Sequence, residues 1–462
     1  MIPLLSHRDD TILVVGLGKS GLSAARALTQ AGATVMVWDD QADQREKAQA
    51  NGLTLFDFES GDMTALDDVI WSPGVPHTHP TRHPLAEKAR SANLNLRCDV
   101  DLLAASQTDA TYIGITGTNG KSTTTALTAH VLKSAGKRIE VGGNLGYTAL
   151  DLEPLDASGI YVLELSSYQT ELTPSLACST AVLINVTPDH LDRHGGLDGY
   201  IDAKAQLFAN QENGATAIVG QDDDPSRGIA NQLSIGGQHT VIGISAEVAM
   251  IEGVSVQNGI LTDALSTELG TIDLRAFKTL PGKHNWQNAA AACAIARTHG
   301  VSLEEISEAF ATFPGLSHRQ EVVGTVNGVT FVNDSKATNA NASEKALSCY
   351  DAIYWIAGGV AKAGGITDLG PLFGRIKHAF LIGESAPTFA EELARSGVAT
   401  STHQTLEDAT ANAGRLALLS GDHDATVLLS PACASFDMFK NFEERGDAFR
   451  NTVTETWPEV AA

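Results

Sequence analysis

An α/β protein of three domains is the fold class this sequence predicts, and three observations predict it. At 462 residues the chain is too long for one hydrophobic core, and a soft figure of about 150 residues per domain suggests three. Short β-rich apolar runs alternate with stretches of helical spacing, the pattern of parallel sheets covered by helices. Two glycine-rich turns, GLGKSG at 16–21 and GITGTNGKSTTT at 114–125, each follow a strand and open a helix. Turns of that kind expose backbone N–H groups to phosphate.

The elements follow in order. TILVVGLG is an apolar run ending in glycines, SGLSAARALTQAG has helical spacing with a glycine stop, and TVMVWDD is a second buried strand ending in acid. Strands are also expected at DDVIWSP and NLNLRCD, with HPLAEKARSA a helix between them, so a first, Rossmann-like domain spans 1–105. TYIGIT then leads into the second glycine loop, KSTTTALTAHVLKSAG reads as the helix after it, and GIYVLELSS, TAVLINVT and ATAIVG as further strands. The segment 235–280 has little helical periodicity and repeated turn glycines, which suggests hairpins or a small meander. GKHNWQNAAAACAIARTHG and SLEEISEAFATF give two helices that end a central, P-loop ATPase-like domain over 106–314. Pro314 and Gly315 mark a linker. GVTFVNDS, AIYWIAGG, HAFLIGES and ATVLLSPA are four apolar strands of a third, Rossmann-like α/β domain over 315–462.

Composition narrows the partners. Fifty-five acidic against 31 basic side chains give a formal charge of -24, which repels a nucleic-acid backbone and an anionic membrane surface alike. Neither is an expected partner. An anionic small substrate is repelled too, so it must be captured by loop amides, helix N-termini and single Lys or Arg residues. Cys98, Cys178, Cys293, Cys349 and Cys433 form no CxxC pair and are odd in number, which suits reduced thiols in a cytoplasm. MIPLLSHRDD lacks the long apolar core of a secretory signal, and no apolar run approaches the ~18 residues that span a bilayer. A cytoplasmic protein with no membrane insertion, acting as a monomer, is expected.

The two loops differ in what they promise. Gly16, Gly18 and Gly21 meet the dinucleotide fingerprint, with Asp39 and Asp40 ending the next strand near the spacing of a ribose-binding acid. Taken alone this favours a nicotinamide-dependent oxidoreductase, although a nucleotide-sugar diphosphate or a ligand-free tight turn would satisfy the same glycines. The second loop departs from the commonest phosphate-loop spacing, yet Gly117, Thr118, Asn119 and Gly120 can turn N–H groups to phosphate. Lys121 can reach the terminal phosphates as a point charge, and Ser122 or Thr123 can hold magnesium. ATP with Mg²⁺ is the expected ligand there. An oxidoreductase would leave this loop, Glu164 and His190 without a use; a nucleotide-regulated binding protein would show no ATP turnover coupled to other substrates.

TGTNGKSTT, ELSSYQTE at 164, NVTPDHLDRH at 185, GKHNWQNAAAA at 282, HR at 318 and NDSKATN at 333 stand in the order seen in the Mur ligases, and the chain resembles that family over almost its whole length. Within it, the short GLGKSG domain and LLSPACASFDMFKNFEERGDAF point to the branch that adds D-glutamate to UDP-N-acetylmuramoyl-L-alanine in peptidoglycan synthesis, over folylpolyglutamate synthases and members adding other amino acids. The resemblance implies ATP-driven amide formation through an acyl phosphate. It implies that Lys121 meets the β- and γ-phosphates, that Ser122 and Glu164 bind one magnesium ion, and that His190 helps hold a second. It also implies that Lys204 is carbamylated and so becomes an anionic magnesium ligand; from its own surroundings in the sequence Lys204 is simply a charge on a helix. Asn288, Arg319 and Asp334 match the ATP-binding set, with Asp334 on ribose hydroxyls and Arg319 on phosphate. Lys362, Ser435 and Phe442 are implied for D-glutamate, Lys19, Ser20, Asp39, Ser72 and Gly74 for the UDP end, and Asn144 and Ser166 for the substrate beyond it.

Overall fold

The computed structural model describes residues 1–277, 279–362, 364–422 and 424–461, and the chain divides into two compact units, 1–274 with 285–311 and 275–284 with 312–462. The first unit holds two sheets. Thr11–Val15 is buried at four of its five positions, as a strand covered on both faces must be, and it pairs in parallel with Thr34–Trp38 on one side and Asp68–Trp71 on the other. Thr54–Leu55 and Leu96–Arg97 extend the sheet at its two edges, so its strand order is three, two, one, four, five. That order reverses beside the first strand, which opens a crevice at its carboxyl end.

Gly16 turns the chain there with φ +86°, and a Cβ on it would lie 2.5 Å from the Cβ of Ser72. A Cβ on Gly21, one turn into the helix Lys19–Ala31, would lie 1.8 Å from the Gly16 carbonyl oxygen. These glycines are required because strand, turn and helix approach one another closely.

The second sheet has nine strands, and its centre places the candidate chemistry. Thr111–Thr116 pairs in parallel with Gly159–Glu164 and with Thr180–Leu183, so the loop after it emerges between Glu164 and the segment that begins at Asn185. The helix Lys121–Ser134 follows this loop directly. Gly114, the first glycine of the quoted motif, lies inside the strand: a Cβ there would meet Cys178 Sγ at 2.7 Å and Leu207 Cδ1 at 2.8 Å. Its place is in packing, which explains why the motif departs from the usual spacing.

The segment 235–280 is only partly a meander. Thr240–Ser245 joins the parallel sheet beside Thr216–Gly220 after a helix Asp224–Gly236, and only Gly253–Gln257, Ile260–Asp263 and Gly270–Asp273 form the antiparallel meander. The turn glycines reported hairpins correctly but could not show that the first strand pairs with a distant partner.

In the second unit Val329–Asn333, Ala425–Leu429, Ala352–Gly358, Ile376–Ile382 and Thr400–Thr402 run parallel, with Glu321–Val326 antiparallel at one edge. Buried clusters around Trp355 and Phe389 on one face, and Phe331 and Phe449 on the other, hold helices against both sides. Two strands of this sheet, Glu321–Val326 and Thr400–Thr402, add to the four read from apolar runs; both are edge strands with exposed positions, so neither carries a continuous apolar run. Among the described residues no helix is long and apolar enough to cross a membrane.

Replacing Gly21 by Ala is expected to destabilise the chain by about 3 kcal/mol, since the new methyl meets backbone that cannot swing away. Equilibrium denaturation measures this, and an unchanged midpoint would show that helix and turn can separate freely.

Candidate active site

The loop between Thr116 and Lys121 is tied down from behind. Thr118 N–H donates to the Asn185 carbonyl and Asn119 N–H to Asn185 Oδ1, both at 2.9 Å. Thr187 N–H donates to Thr118 Oγ1 at 3.0 Å, and the same hydroxyl lies 3.1 Å from Tyr200 Oη. Asn185 Nδ2 donates in turn to Gln287 Oε1 at 3.0 Å, and Gln287 Nε2 to Asp222 Oδ2 at 2.9 Å. Gly120 takes φ +85° at the head of the helix, and a Cβ on it would lie 2.2 Å from Asn288 Oδ1, which also accepts from Thr124 Oγ1 at 3.2 Å. Asn288 therefore packs against the loop itself.

Two lysines meet at one backbone carbonyl. Lys121 Nζ donates to Gly117 O and Thr118 O, both at 2.9 Å, and Lys204 Nζ donates to Gly117 O at 2.8 Å. Lys204 is no ordinary surface charge: it is 1% exposed, on the helix face that also buries Tyr200, Ala203, Leu207 and Phe208, with its amine 4.6 Å from the centre of the Tyr200 ring. Burial, and then the neighbouring charge of Lys121, push its pKa well below the usual lysine value. The spacing of Tyr200, Lys204 and Phe208 by four residues is the sequence signal for this burial.

Glu164 ends its strand at 2% exposure. Asn144 Nδ2 donates to Oε1 at 2.9 Å, while Oε2 is buried with no hydrogen-bond partner. An acceptor oxygen left in that state calls for a cation. His190 stands at φ +51° immediately before the short helix Leu191–His194, its ring 5.2 Å from that of Tyr168. Burial lowers its pKa against the pull of Asp189, and the charges of Lys121 and Lys204 lower it further. Those contributions place His190 within electrostatic reach of both lysines. Ser122 is buried in the first turn of the helix, and Ser166 caps the turn after Glu164 by accepting from Gln169 N–H at 3.3 Å.

Among the described residues no three of His, Cys, Asp and Glu cluster so as to hold a metal ion. The donor set nonetheless fits magnesium, which binds through one or two carboxylates and keeps water and phosphate oxygens for its other positions. Glu164 Oε2 is the buried oxygen that such an ion would take up.

At the first sheet's crevice Gly16, Asp39, Gln41, Gly74 and His83 line a cleft of about 230 Å³. Asp39 is already engaged: Oδ2 accepts from Leu17 N–H at 2.6 Å and Oδ1 from Gln41 N–H at 2.9 Å, so it locks the glycine turn to the end of the second strand. Ser20 is half-buried and Lys19 is exposed at the helix start. Arg193, from the middle sheet's domain, donates to the carbonyls of Gly74 at 3.1 Å and Pro73 at 3.4 Å and so holds the Ser72–Gly74 loop.

In the second unit Asp334 follows the strand Val329–Asn333. Ser430 Oγ donates to its Oδ2 at 2.8 Å and Gln320 N–H to its Oδ1 at 3.2 Å. Burial lifts its pKa to about 7 against the pull of those hydrogen bonds and of Arg319. Lys362 is exposed just after Val360–Ala361, whose antiparallel pairing with Cys433–Ala434 brings its loop towards the buried Ser435. The Phe442 carbonyl accepts from Ser335 Oγ at 2.8 Å, and Lys336 Nζ lies 3.8 Å from the centre of the Phe442 ring. The motif residues alone did not single out Asn185, Gln287 or Arg445. Arg445 is 1% exposed and donates to Ser335 Oγ, Ser335 O and Cys433 O at 2.8 to 3.1 Å, tying together the two loops that carry Asp334 and Ser435.

A phosphate loop between parallel strands, followed by a buried carboxylate and a buried lysine, on a chain with a glycine-turn domain before it and a parallel-sheet domain after it, defines a nucleotide-dependent ligase class. Three profiles match it: the Mur ligase MurD-like N-terminal domain over residues 10–92, the Mur ligase middle domain over 115–296, and the Mur ligase glutamate ligase domain over 318–433. The chain belongs to the Mur ligase family. It is 52% identical over 452 residues to the UDP-N-acetylmuramoylalanine--D-glutamate ligase of Paramagnetospirillum magneticum, covering 98% of this chain and 97% of that one. It is 49% identical over 461 residues to the enzyme of the same name from Rhodospirillum rubrum, covering 98% and 96%. In fold it is similar to the UDP-N-acetylmuramate-alanine ligase of Thermotoga maritima, with a TM-score of 0.59 at 16% identity over 97% of this chain and 100% of that chain.

The raised pKa of Asp334 has a measurable sign. Between the unfolded value of 3.8 and about 7 the native carboxyl keeps a proton that the unfolded chain has released, so folding stability contributed here falls as pH rises. Asp334→Asn removes that loss. Its stability relative to wild type is expected to rise by a few kcal/mol between about pH 4 and pH 7, read from denaturant midpoints across pH. A constant difference would show that Asp334 is ionised throughout.

Proposed function

We propose that this chain uses ATP to join D-glutamate to the L-alanine carboxylate of UDP-N-acetylmuramoyl-L-alanine, a step of peptidoglycan precursor synthesis. Likeness at 52% identity over 98% of the chain to a ligase of that name carries the choice of substrates. The convergence of Lys121 and Lys204 on the Gly117 carbonyl, beside Glu164 with its unpartnered oxygen, supports the chemistry.

A carboxylate resists attack by an amine because oxide would have to leave. The alanine carboxylate oxygen therefore attacks the γ-phosphorus of ATP, ADP departs, and an acyl phosphate forms. The free amine of D-glutamate then attacks the acyl carbon, the amine loses a proton, and phosphate leaves with the oxygen that had belonged to the carboxylate. Two anions must first meet, so cations have to stand between them. Lys121 supplies one at the mouth of the loop, with Gly117 to Gly120 and Thr123 around the phosphates and Asn288 behind them. Magnesium, when bound, screens the phosphate charge and polarises the γ-phosphoryl group. Ser122 and Glu164 would hold one such ion, and His190 and Lys204 a second.

Lys204 serves in this scheme as a carbamate. A lysine whose amine is kept neutral by burial can add to carbon dioxide, forming an N–C bond and releasing a proton to water, and the product presents oxygens to a hard cation. In the first domain Asp39 sets the turn that receives the uridine diphosphate, with Lys19, Ser20, Ser72 and Gly74 along the crevice and Asn144 and Ser166 further along the substrate. In the third, Asp334 would meet ribose and Arg319 phosphate, while Lys362, Ser435 and Phe442 receive the glutamate.

Phosphate release is expected only when ATP, UDP-N-acetylmuramoyl-L-alanine and D-glutamate are all present; release that is indifferent to either acceptor would refute the assignment. Lys121→Ala should abolish product with an unchanged thermal melt. Lys204→Ala should lose most activity and regain part of it with a short-chain carboxylic acid; loss without rescue would argue against the carbamate.

A further inference from the structure

Six side chains with no part in those steps form one connected cluster in the first unit, and Glu171 is its junction. One carboxylate oxygen lies 3.2 Å from His194 Nδ1, the other 3.7 Å from His77 Nε2. His194 Nε2 lies 3.0 Å from Ser167 Oγ. Tyr168 stacks on His194 with ring centres 5.4 Å apart and meets His190 on another side, and the guanidinium of Arg193 lies 4.5 Å from the centre of the Tyr168 ring.

The order Ser167, His194, Glu171 has the connectivity of a hydrolase's nucleophile relay. Ser167 is only 3% exposed, however, so its hydroxyl is closed to a substrate. A different use fits the geometry. A carboxylate can only accept, so His194 Nδ1–H donates to Glu171, and Nε2 is left to accept from the Ser167 hydroxyl. That fixes the ring and its short helix Leu191–His194, at whose head His190 stands in the left-handed region, a conformation that persists only where neighbours hold it. It also fixes the turn that carries Glu164 and Ser166. The other oxygen of Glu171 reaches His77, which directly follows the loop of Ser72 and Gly74; the His77 side chain is largely buried, and its Nδ1 has no hydrogen-bond partner. Arg193 grips the same loop from the same short helix.

We infer that Glu171 is a positioning residue which, through His194 and His77, keeps the sugar-nucleotide loop of the first domain in register with His190 and Ser166 on the second, without touching substrate. The inference rests on the ligase reading above. Partners that orient functional side chains typically cost 10- to 100-fold when removed.

Glu171→Gln keeps the volume but removes the charge and leaves a single acceptor oxygen, so it cannot offer an acceptor to both His194 and His77. The KM for UDP-N-acetylmuramoyl-L-alanine is expected to rise about tenfold or more, with the KM values for ATP and D-glutamate within about twofold of wild type and the thermal melt unchanged. Calorimetric binding of the sugar nucleotide without ATP should weaken by the same factor. Unchanged KM values, or a uniform loss with a lowered melt, would overturn the positioning role while an active wild type left the ligase reading intact. A wild type silent with all three substrates would overturn both. Should Glu171→Gln fail to fold, Ser167→Ala carries the test: a selective rise in the same KM supports the role, and a uniform change or none removes it.

Discussion

Two ammonium groups share the carbonyl oxygen of Gly117, and the second domain is arranged around that fact. Lys121 approaches it from the head of its own helix and Lys204 from a helix more than eighty residues on, the two donors lying 2.9 and 2.8 Å from the same atom. Like charges at such range cannot both be fully ionised without cost, and the more deeply buried of them yields: the Lys204 amine is pushed towards its neutral form. A neutral amine beside a charged one is what burial and mutual repulsion produce together at this carbonyl. The left-handed turns at Gly117 and Gly120 exist to let the backbone reach this position, and Asn185 and Asn288 hold the turn from either side.

Two carboxyls outside the second domain are held by their surroundings in different ways. In the first domain, Asp39 spends both oxygens on backbone N–H groups and so shapes the glycine turn. This weakens the nicotinamide reading, in which that acid would be turned to a ribose. In the third, a carboxyl with a pKa near neutrality, Asp334, sits where two loops are laced together by a buried arginine. A carboxyl held at that energetic disadvantage is typical of a site shaped for binding rather than for stability.

Much of this was legible because the signals are local. Strands such as Thr111–Thr116 and Thr11–Val15 announce themselves by apolar runs that stop at glycine, and the lysine loop by strand, glycines, lysine, hydroxyls and helix in order. What was not legible depends on partners far along the chain. Arg138–Gly143 and Glu321–Val326 are edge strands whose charged and exposed positions hide them among loops. Thr240–Ser245 looks in sequence like part of the hairpins because nothing local tells a parallel partner from an antiparallel one. The burial of Lys204 follows from a helix face that needed its neighbours Tyr200 and Phe208 to be weighed with it, and the roles of Asn185 and Arg445 arise only when separate loops meet.

The most direct test follows one oxygen atom. With both carboxylate oxygens of the alanyl residue in UDP-N-acetylmuramoyl-L-alanine labelled with ¹⁸O, turnover with ATP and D-glutamate should give inorganic phosphate carrying one ¹⁸O per molecule, read by mass spectrometry or by the isotope shift in ³¹P NMR. Phosphate without label would mean that the γ-phosphoryl group never reached the carboxylate, and would contradict the account.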